Sequence, residues 1–306
     1  MTSTEKRKTL KYIPNKSKWG LGLAIIPLIG YAIFGLLPLI LSVVISLFDL
    51  NGYRFEGMEF VGFNNFSHVI TDPLFYKSIL NTLYAMLSIP ITIGLSLLIA
   101  TVLMNPKIKG KAAFRTIFFI PYVCSVVAVS IMWRWLLDGE YGTINQILSM
   151  INIDGPDWLG DSRSFMPAMI MMSVWGGLGF NVILFSAALT NVDHSLYEAA
   201  QIDGAGTIRK FVSITLPSIS PVTFYILVIS LIGGLQDFAR FQIMAPGGGP
   251  DNAGLTVVYY LYNAGFTNVV TYGMGIASAV SWVLTIIIAS ITAMNFIASK
   301  KWVANS

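Results

Sequence analysis

Six long apolar segments most constrain what this chain can fold into. They run approximately over residues 19–48, 79–104, 112–137, 165–190, 218–244 and 272–298. Each exceeds the ~20 residues that an α-helix needs to cross the hydrocarbon core of a bilayer. Because lipid offers no hydrogen-bonding partners to a backbone, such segments cross it as helices. The sequence therefore predicts an all-α, polytopic membrane protein with six transmembrane helices.

The low charge content agrees with this prediction. Only 11% of the 306 residues are charged and 55% are hydrophobic, whereas soluble domains carry roughly 25% charged residues. The single cysteine, Cys124, excludes a disulfide within the chain, and His68 and His194 stand in no metal-ligand motif. We expect this chain to bind no metal and no cofactor.

Basic residues cluster at alternate ends of the apolar segments. The clusters are Lys6, Arg7, Lys8, Lys11, Lys16 and Lys18; Lys107, Lys109, Lys111 and Arg115; Arg209 and Lys210; and Lys300 and Lys301. By the positive-inside rule, both termini lie in the cytoplasm. The sequence thus divides into a cytoplasmic basic tail, 1–18, and one transmembrane domain, 19–302, with a long cytoplasmic loop at 191–217. We interpret the tail as a cytoplasmic anchor for the apolar segment that follows it, and expect no nucleic-acid partner.

The loop at 191–217 contains the spacing EAA-x3-G-x9-I-x-L-P. Its fixed positions are Glu198, Ala199, Ala200, Gly204, Ile214, Leu216 and Pro217. Asp193 or Ser195 can cap a short helix over 196–202, and Gly204 can end it with a positive φ. Pro217 then falls near the start of the next span, where a missing N–H costs least. An ordinary amphipathic helix on the lipid surface is the alternative interpretation.

This spacing resembles the signature of inner-membrane permeases of binding-protein-dependent ABC importers. Further stretches are similar to the carbohydrate-uptake branch of that family, which includes lactose, multiple-sugar, glycerol-phosphate and maltose-transporter F permeases. They are LYEAAQIDGAGTIRKFVSITLPSISP around the loop, Gly247-Gly248-Gly249-Pro250, YGMGIASA at 272–279 and FVGFNNF at 60–66. The sequence lacks the extra spans and the large periplasmic insertion of the maltose protein, and so resembles the plainer six-span members.

The resemblance implies a type I ABC importer permease fold with a cytoplasmic coupling helix, placed in a bacterial cell membrane. It implies three kinds of partner: a second homologous permease, an ABC ATPase dimer and an extracytoplasmic substrate-binding protein. The loop residues, Asp203 included, would contact the ATPase. The sequence has no GxxxxGK[ST] phosphate loop, so ATP and Mg are expected on the partner ATPase, and this chain is not expected to be an enzyme. The expected substrate is a di- or oligosaccharide; the alternative is a glycerol phosphate.

Six residues are candidates for the substrate pathway. They are Ser130, Trp133, Trp175, Asn181, Asp237 and Arg240. Trp133 fits an interfacial aromatic belt equally well, and Asn181 fits a bond to a neighbouring helix. Asp237 and Arg240, at i and i+3, are expected to share a helix face and form a salt bridge near an outer gate. Contact with a sugar, or an Arg240 grip on an anionic substrate, are the other interpretations.

Two other classes of function fit the sequence less well. An ion-driven secondary carrier needs ionisable residues near mid-membrane, and beyond Asp237 and Arg240 the apolar segments hold almost none. An intramembrane enzyme would need a motif such as HExxH or GxSxG, and the sequence has neither. The carrier would also leave the loop motif unexplained.

Overall fold

A computed structural model describes residues 14–50, 58–268 and 272–303. The described part is a helical bundle with one two-stranded hairpin. Its helices are α1 (Pro14–Tyr31), α2 (Leu37–Ser46), α3 (Asn64–Thr71), α4 (Pro73–Ala85), α5 (Ser88–Met104), α6 (Lys111–Val123), α7 (Val126–Leu136), α8 (Thr143–Met150), α9 (Ser162–Thr190), α10 (His194–Ile202), α11 (Thr207–Lys210), α12 (Leu216–Leu235), α13 (Ala239–Met244), α14 (Val257–Tyr262) and α15 (Gly273–Ser299). Most of the predicted basic tail, residues 1–13, lies outside the described residues.

Five helical stretches of the described chain are long and apolar enough to cross a membrane. They are Gly22–Ser46, Pro73–Met104, Ser162–Thr190, Thr207–Leu235 and Gly273–Ser299. The bent pair α6 and α7 makes a sixth span if its two helices are counted together. The all-α membrane fold is therefore confirmed.

The third predicted segment, 112–137, is wrong as a single continuous helix. α6 and α7 meet at an angle of 98°, because Cys124 and Ser125 between them are extended, with ψ of 150° and 130°. α6 has 13 residues, which span roughly 20 Å at 1.5 Å per residue. That length is less than the roughly 30 Å of hydrocarbon.

The fifth predicted segment, 218–244, is also interrupted. α12 ends at Leu235 after the weak helix formers Gly233 and Gly234, and the chain becomes helical again only at Ala239. The sequence predicted that Asp237 lies on a helix face. Asp237 lies instead in the break between α12 and α13.

Two prolines are preceded by a widened turn of helix. π-Helical turns at Ala32–Leu36 and Phe211–Thr215 end directly before Leu37-Pro38 and Leu216-Pro217. The N–H of Leu216 donates to the carbonyl of Phe211, five residues back. Proline cannot donate and crowds the preceding turn, and the wider turn lets the helix continue through it. Pro217 is thus the second residue of α12, near the start of this helix as predicted, and the widened turn joins α12 to the preceding helical residues of the stretch Thr207–Leu235.

Small residues let the central helices pack closely. Ser88, Thr92, Ser96 and Ala100 repeat every fourth position on α5 and are buried. The Ser96 hydroxyl donates to the Leu178 carbonyl of α9 at 3.3 Å. At Gly179 of α9, an added Cβ would stand 2.0 Å from the Phe118 carbonyl oxygen of α6. α9 therefore contacts both neighbours at backbone distance, the geometry that small residues permit between membrane helices.

The hairpin joins the first span to the last. Strands β1 (Phe48–Asp49) and β2 (Glu59–Phe60) pair antiparallel. Asn65, buried beneath them, donates its amide to the carbonyls of Ser46 and Phe48, both at 2.9 Å. A Cβ at Gly275 of α15 would stand 2.2 Å from the Phe48 oxygen. The FVGFNNF and YGMGIASA stretches thus meet at one junction.

Candidate functional site

The short helix in the 191–217 loop is present as α10, His194–Ile202. Asp193 caps its start, since its Oδ1 accepts the Ser195 N–H at 2.9 Å. This backbone bond is the main cause that lowers the pKa of Asp193, and a hydrogen bond from the Ser195 side chain lowers that pKa further. Gly204, with φ +72°, ends the helix: its N–H donates to Gln201 and that of Ala205 donates to Ala200. This pairing is a Schellman motif, so local sequence accounts for both helix ends.

Most side chains of α10 are exposed to solvent. Glu198 and His194 are exposed and lie 3.2 Å apart on successive turns. Two isoleucines in the same loop are among the most exposed apolar side chains of the described chain, Ile202 on α10 at 87% and Ile208 on α11 at 81%. Of the motif residues, Glu198, Ala199, Asp203, Gly204, Leu216 and Pro217 are exposed, and Ala200 and Ile214 are half-buried. An apolar and acidic surface of this kind fits contact with another protein.

One side-chain bond connects α10 to the following span. The hydroxyls of Tyr197 and Thr215 lie 2.8 Å apart, and Thr215 is buried in the widened turn before α12. This contact links α10 to the base of α12. The motif positions do not include this pair; Tyr197 precedes Glu198 by one residue and carries no separate sequence signal.

A central cavity of about 470 Å³ lies among α5, the α6–α7 bend, α9 and α12. Its lining is mostly apolar and contains nine polar or charged side chains. They are Ser88, Thr92, Tyr122, Cys124, Ser173, Asn181, Ser230, Asp237 and Arg240. Tyr122 and Phe180 stack on each other at its wall, with ring centroids 4.8 Å apart. In sequence, these two rings are indistinguishable from lipid-facing aromatics.

The predicted salt bridge between Asp237 and Arg240 is present. Arg240 Nη2 lies 2.6 Å from Asp237 Oδ2, and the two side chains are 28% and 13% exposed. Arg240 Nη1 also donates to the Ser173 hydroxyl of α9 at 3.2 Å. The pair joins α9 to the break after α12 and faces the cavity. In this setting the carboxylate can accept hydrogen bonds from hydroxyl groups, and the guanidinium can donate to them.

The other four pathway candidates divide into two groups. Asn181 is buried and lines the cavity. Ser130, Trp133 and Trp175 lie outside the cavity lining. Trp133 is 7% exposed and packs edge-to-face on Trp175 at 5.7 Å, so it does not occupy an interfacial belt. The Ser130 hydroxyl donates within its own helix to Val126.

The residues from Ala245 to Thr256, which follow α13, form a segment that we name the glycine-rich loop. Five of its residues have positive φ: Gly247, Gly248, Gly249, Asp251 and Asn252. Asn81 of α4 donates to the carbonyls of Asn252 and Leu255 at 2.8 and 3.0 Å. Thr256 donates to the carbonyl of Asp237 at 3.0 Å. The loop is thereby tied both to α4 and to the residue that carries the cavity's carboxylate.

A tyrosine–aspartate contact supports the helix after the loop. Tyr260 of α14 donates to Asp72 Oδ2 at 2.6 Å, and Asp72 also caps α4 through Leu74 N–H. Burial raises the pKa of Tyr260, and the hydrogen bond and charge of Asp72 raise it further. Burial and the Asp72 charge also raise the pKa of Tyr272. The described residues contain no group of three or more side chains suited to holding a metal ion.

Comparison with known proteins gives consistent matches. Residues 75–302 match the family model of the "binding-protein-dependent transport system inner membrane component". The chain is 33% identical to the lactose transport system permease protein LacF of Rhizobium radiobacter, over 98% of this chain and 99% of that protein. It is 33% identical to the diacetylchitobiose uptake system permease protein NgcF of Streptomyces coelicolor, over 90% of this chain and 80% of that one.

A solved structure has a similar fold over most of the chain. A chain in the crystal structure of a bacterial alginate ABC transporter, in complex with its alginate pentasaccharide-bound periplasmic protein, superposes with a TM-score of 0.80 at 26% identity. The match covers 94% of this chain and 96% of that one.

Proposed function

Because the chain belongs to the family of binding-protein-dependent transport system inner membrane components, we propose that it is the permease subunit of an ABC importer that carries an oligosaccharide across a bacterial cell membrane. Its similarity to lactose and diacetylchitobiose permeases supports a sugar as the substrate. Both termini then lie on the cytoplasmic side, in line with the basic clusters.

The exposed, doubly capped α10 carries this proposal. A helix that is capped at both ends by neighbouring residues keeps its conformation when a partner protein binds to it. We assign to its surface the docking of a separate ATPase subunit, which binds ATP and Mg. Glu198, Ala199, Ala200, Asp203 and Gly204 form the contact, and Ile214, Leu216 and Pro217 set the join to α12.

Transport then follows from a shift between two conformations. ATP binding closes the ATPase dimer, α10 moves with it, and the Tyr197–Thr215 contact passes the movement to α12. A rigid-body displacement of this kind opens the cavity alternately to the two sides. A second permease completes the pathway, and an extracytoplasmic binding protein delivers the sugar, as in the alginate complex.

We place the sugar in the central cavity, against Asn181, Asp237 and Arg240. These groups line the cavity together with the stacked rings of Tyr122 and Phe180. Trp133 and Trp175 act one layer behind, where their edge-to-face contact holds α7 against α9, and Ser130 is buried on α7 in the same layer. The glycerol-phosphate alternative would place the same residues against an anion.

The test is the ATPase activity of the reconstituted importer, stimulated by sugar-loaded binding protein. Glu198→Arg and Gly204→Asp should abolish the stimulation while the four kinds of subunit still assemble. Glu140→Arg, the same charge reversal at an exposed residue away from α10, should leave it unchanged. Full stimulation in both α10 variants would refute the proposed coupling role.

A further inference from the structure

The charges of the central cavity are limited to one pair. Among the described residues that line it, only Asp237 and Arg240 carry a formal charge at neutral pH. Their 2.6 Å contact leaves the cavity with a net charge of zero. The guanidinium is further engaged by the Ser173 hydroxyl, so it is not held free for an incoming anion.

The position of Asp237 is set by the backbone around it. It follows the end of α12, and its carbonyl accepts the Thr256 hydroxyl from the glycine-rich loop. The carboxylate is only 13% exposed. A substrate that bound Arg240 would have to displace the Asp237 carboxylate, and the main chain of Asp237 is held in place by Thr256.

The remaining lining suits an uncharged polyol. Hydroxyl and amide groups from Thr92, Tyr122, Asn181 and Ser230 face the same space as the stacked rings of Tyr122 and Phe180. Such groups exchange hydrogen bonds with sugar hydroxyls, and aromatic rings cover the apolar faces of sugar rings. An anion in this cavity would meet the Asp237 carboxylate at short range, and the repulsion would cancel its attraction to Arg240.

We propose that the central cavity selects uncharged glycans, and that Asp237 sets this selectivity by neutralising Arg240. This inference rests on the proposed function and deepens it, because it excludes glycerol phosphates and acidic sugars as substrates. It also sets the chain apart from its structural relative, whose substrate is the acidic polysaccharide alginate.

Cys124, the single cysteine of the chain, lines this cavity and reports on it directly. In the assembled importer, the rates of its reaction with an anionic reagent, sulfonatoethyl methanethiosulfonate, and with neutral methyl methanethiosulfonate are measured by mass spectrometry of this chain. Asp237→Asn should raise the anionic-to-neutral rate ratio about tenfold, and Arg240→Gln should lower it about tenfold. The double variant should return to the wild-type ratio.

Asp154→Asn is the matched control, because it removes an exposed carboxylate outside the cavity and should leave the ratio unchanged. If a neighbouring subunit covers Cys124, Ser230→Cys in a Cys124→Ser background supplies a second thiol on the same wall. A ratio that is insensitive to both single variants would overturn the assignment of the cavity's charge to this pair.

Protection experiments then test the substrate class. Lactose and diacetylchitobiose should slow the labelling of the wild-type thiol, whereas an alginate trisaccharide and sn-glycerol 3-phosphate should not. Asp237→Asn should gain protection by the two anions. Equal protection of the wild-type thiol by an anion, or no protection by any sugar, would overturn the inference. Sugar-stimulated ATPase activity, measured separately, shows in either case whether the proposed function still holds.

Discussion

The segments at the two ends of α12 are built in opposite ways. The two ends of α10, before the helix, are held by bonds between residues at most five positions apart, and most of its side chains, Tyr197 and Ala200 excepted, are exposed to solvent. The glycine-rich loop, after the helix, has local backbone bonds as well, but it is also fixed to the bundle by Asn81, which lies 171 and 174 residues away in the sequence from the two carbonyls that it contacts. A segment that is proposed to move and dock benefits from local stability, whereas a loop that is attached to the bundle keeps a fixed position on it.

This difference explains why glycine has a different role in each of the two segments. Gly204 provides a left-handed turn in open space, and no atom would contact an added Cβ. At Gly254, in the glycine-rich loop, a Cβ would stand 2.3 Å from the Cβ of Ala245 and 3.0 Å from the ring of Phe165. One glycine is required by conformation and the other by packing.

The largest expected effect comes from exchanging Gly254 for alanine, and the same exchange at Gly204 provides the comparison. Gly254→Ala should lower the free energy of unfolding by about 2–3 kcal/mol through overpacking. Gly204→Ala should lower it by about 1 kcal/mol through its positive φ alone. Thermal unfolding of the purified importer in detergent measures both. An equal loss in the two variants would contradict the contrast between packing and conformation.

An intermediate effect is expected from Asn81→Ala. The carbonyls of Asn252 and Leu255 would lose their amide donor, which should cost about 1–3 kcal/mol. Hydrogen exchange should speed up across the glycine-rich loop and stay unchanged in α10. Asn295→Ala is the control, because its amide donates only to Ile291 within the same helix. Unchanged exchange in the loop would mean that its shape does not depend on α4.

The smallest expected effect is a difference in pH dependence between α10 and the start of α14. The lowered pKa of Asp193 means that its cap is present above the ordinary value of 3.8 and is lost as the pH falls through the folded value. The raised pKa of Tyr260 means that its contact with Asp72 is fully present below pH 10.0 and weakens as the pH rises beyond it. α10 should therefore loosen only in acid and the start of α14 only in strong alkali.

Hydrogen exchange corrected for its intrinsic pH dependence measures this separation. Asp193→Asn should keep the cap and remove the acid transition. Tyr260→Phe should remove the alkaline one. Loosening of both regions at the same pH would show that a global transition, and not these two groups, is being observed.

Sequence reasoning succeeded where the signal lay within a few residues. The caps of α10 were predicted from Asp193 and Gly204, and the ion pair from the spacing of Asp237 and Arg240. It failed where an extended pair of residues, Cys124 and Ser125, broke an apolar run that contains no other helix breaker than Pro121. The sequence analysis also did not identify the buried ridge of α5, Ser88, Thr92, Ser96 and Ala100, or its partner helix α9.

The sequence by itself determined that the chain is a helical membrane protein, and it determined α10, because lipid satisfies no backbone groups and because capping is local. Only the tertiary structure decided where α6 and α7 bend, which rings face the cavity and how the glycine-rich loop is held. Those features depend on contacts such as Thr82 with Val257, 175 residues apart. No local pattern contains such a contact, since its two partners meet only after the helices have packed.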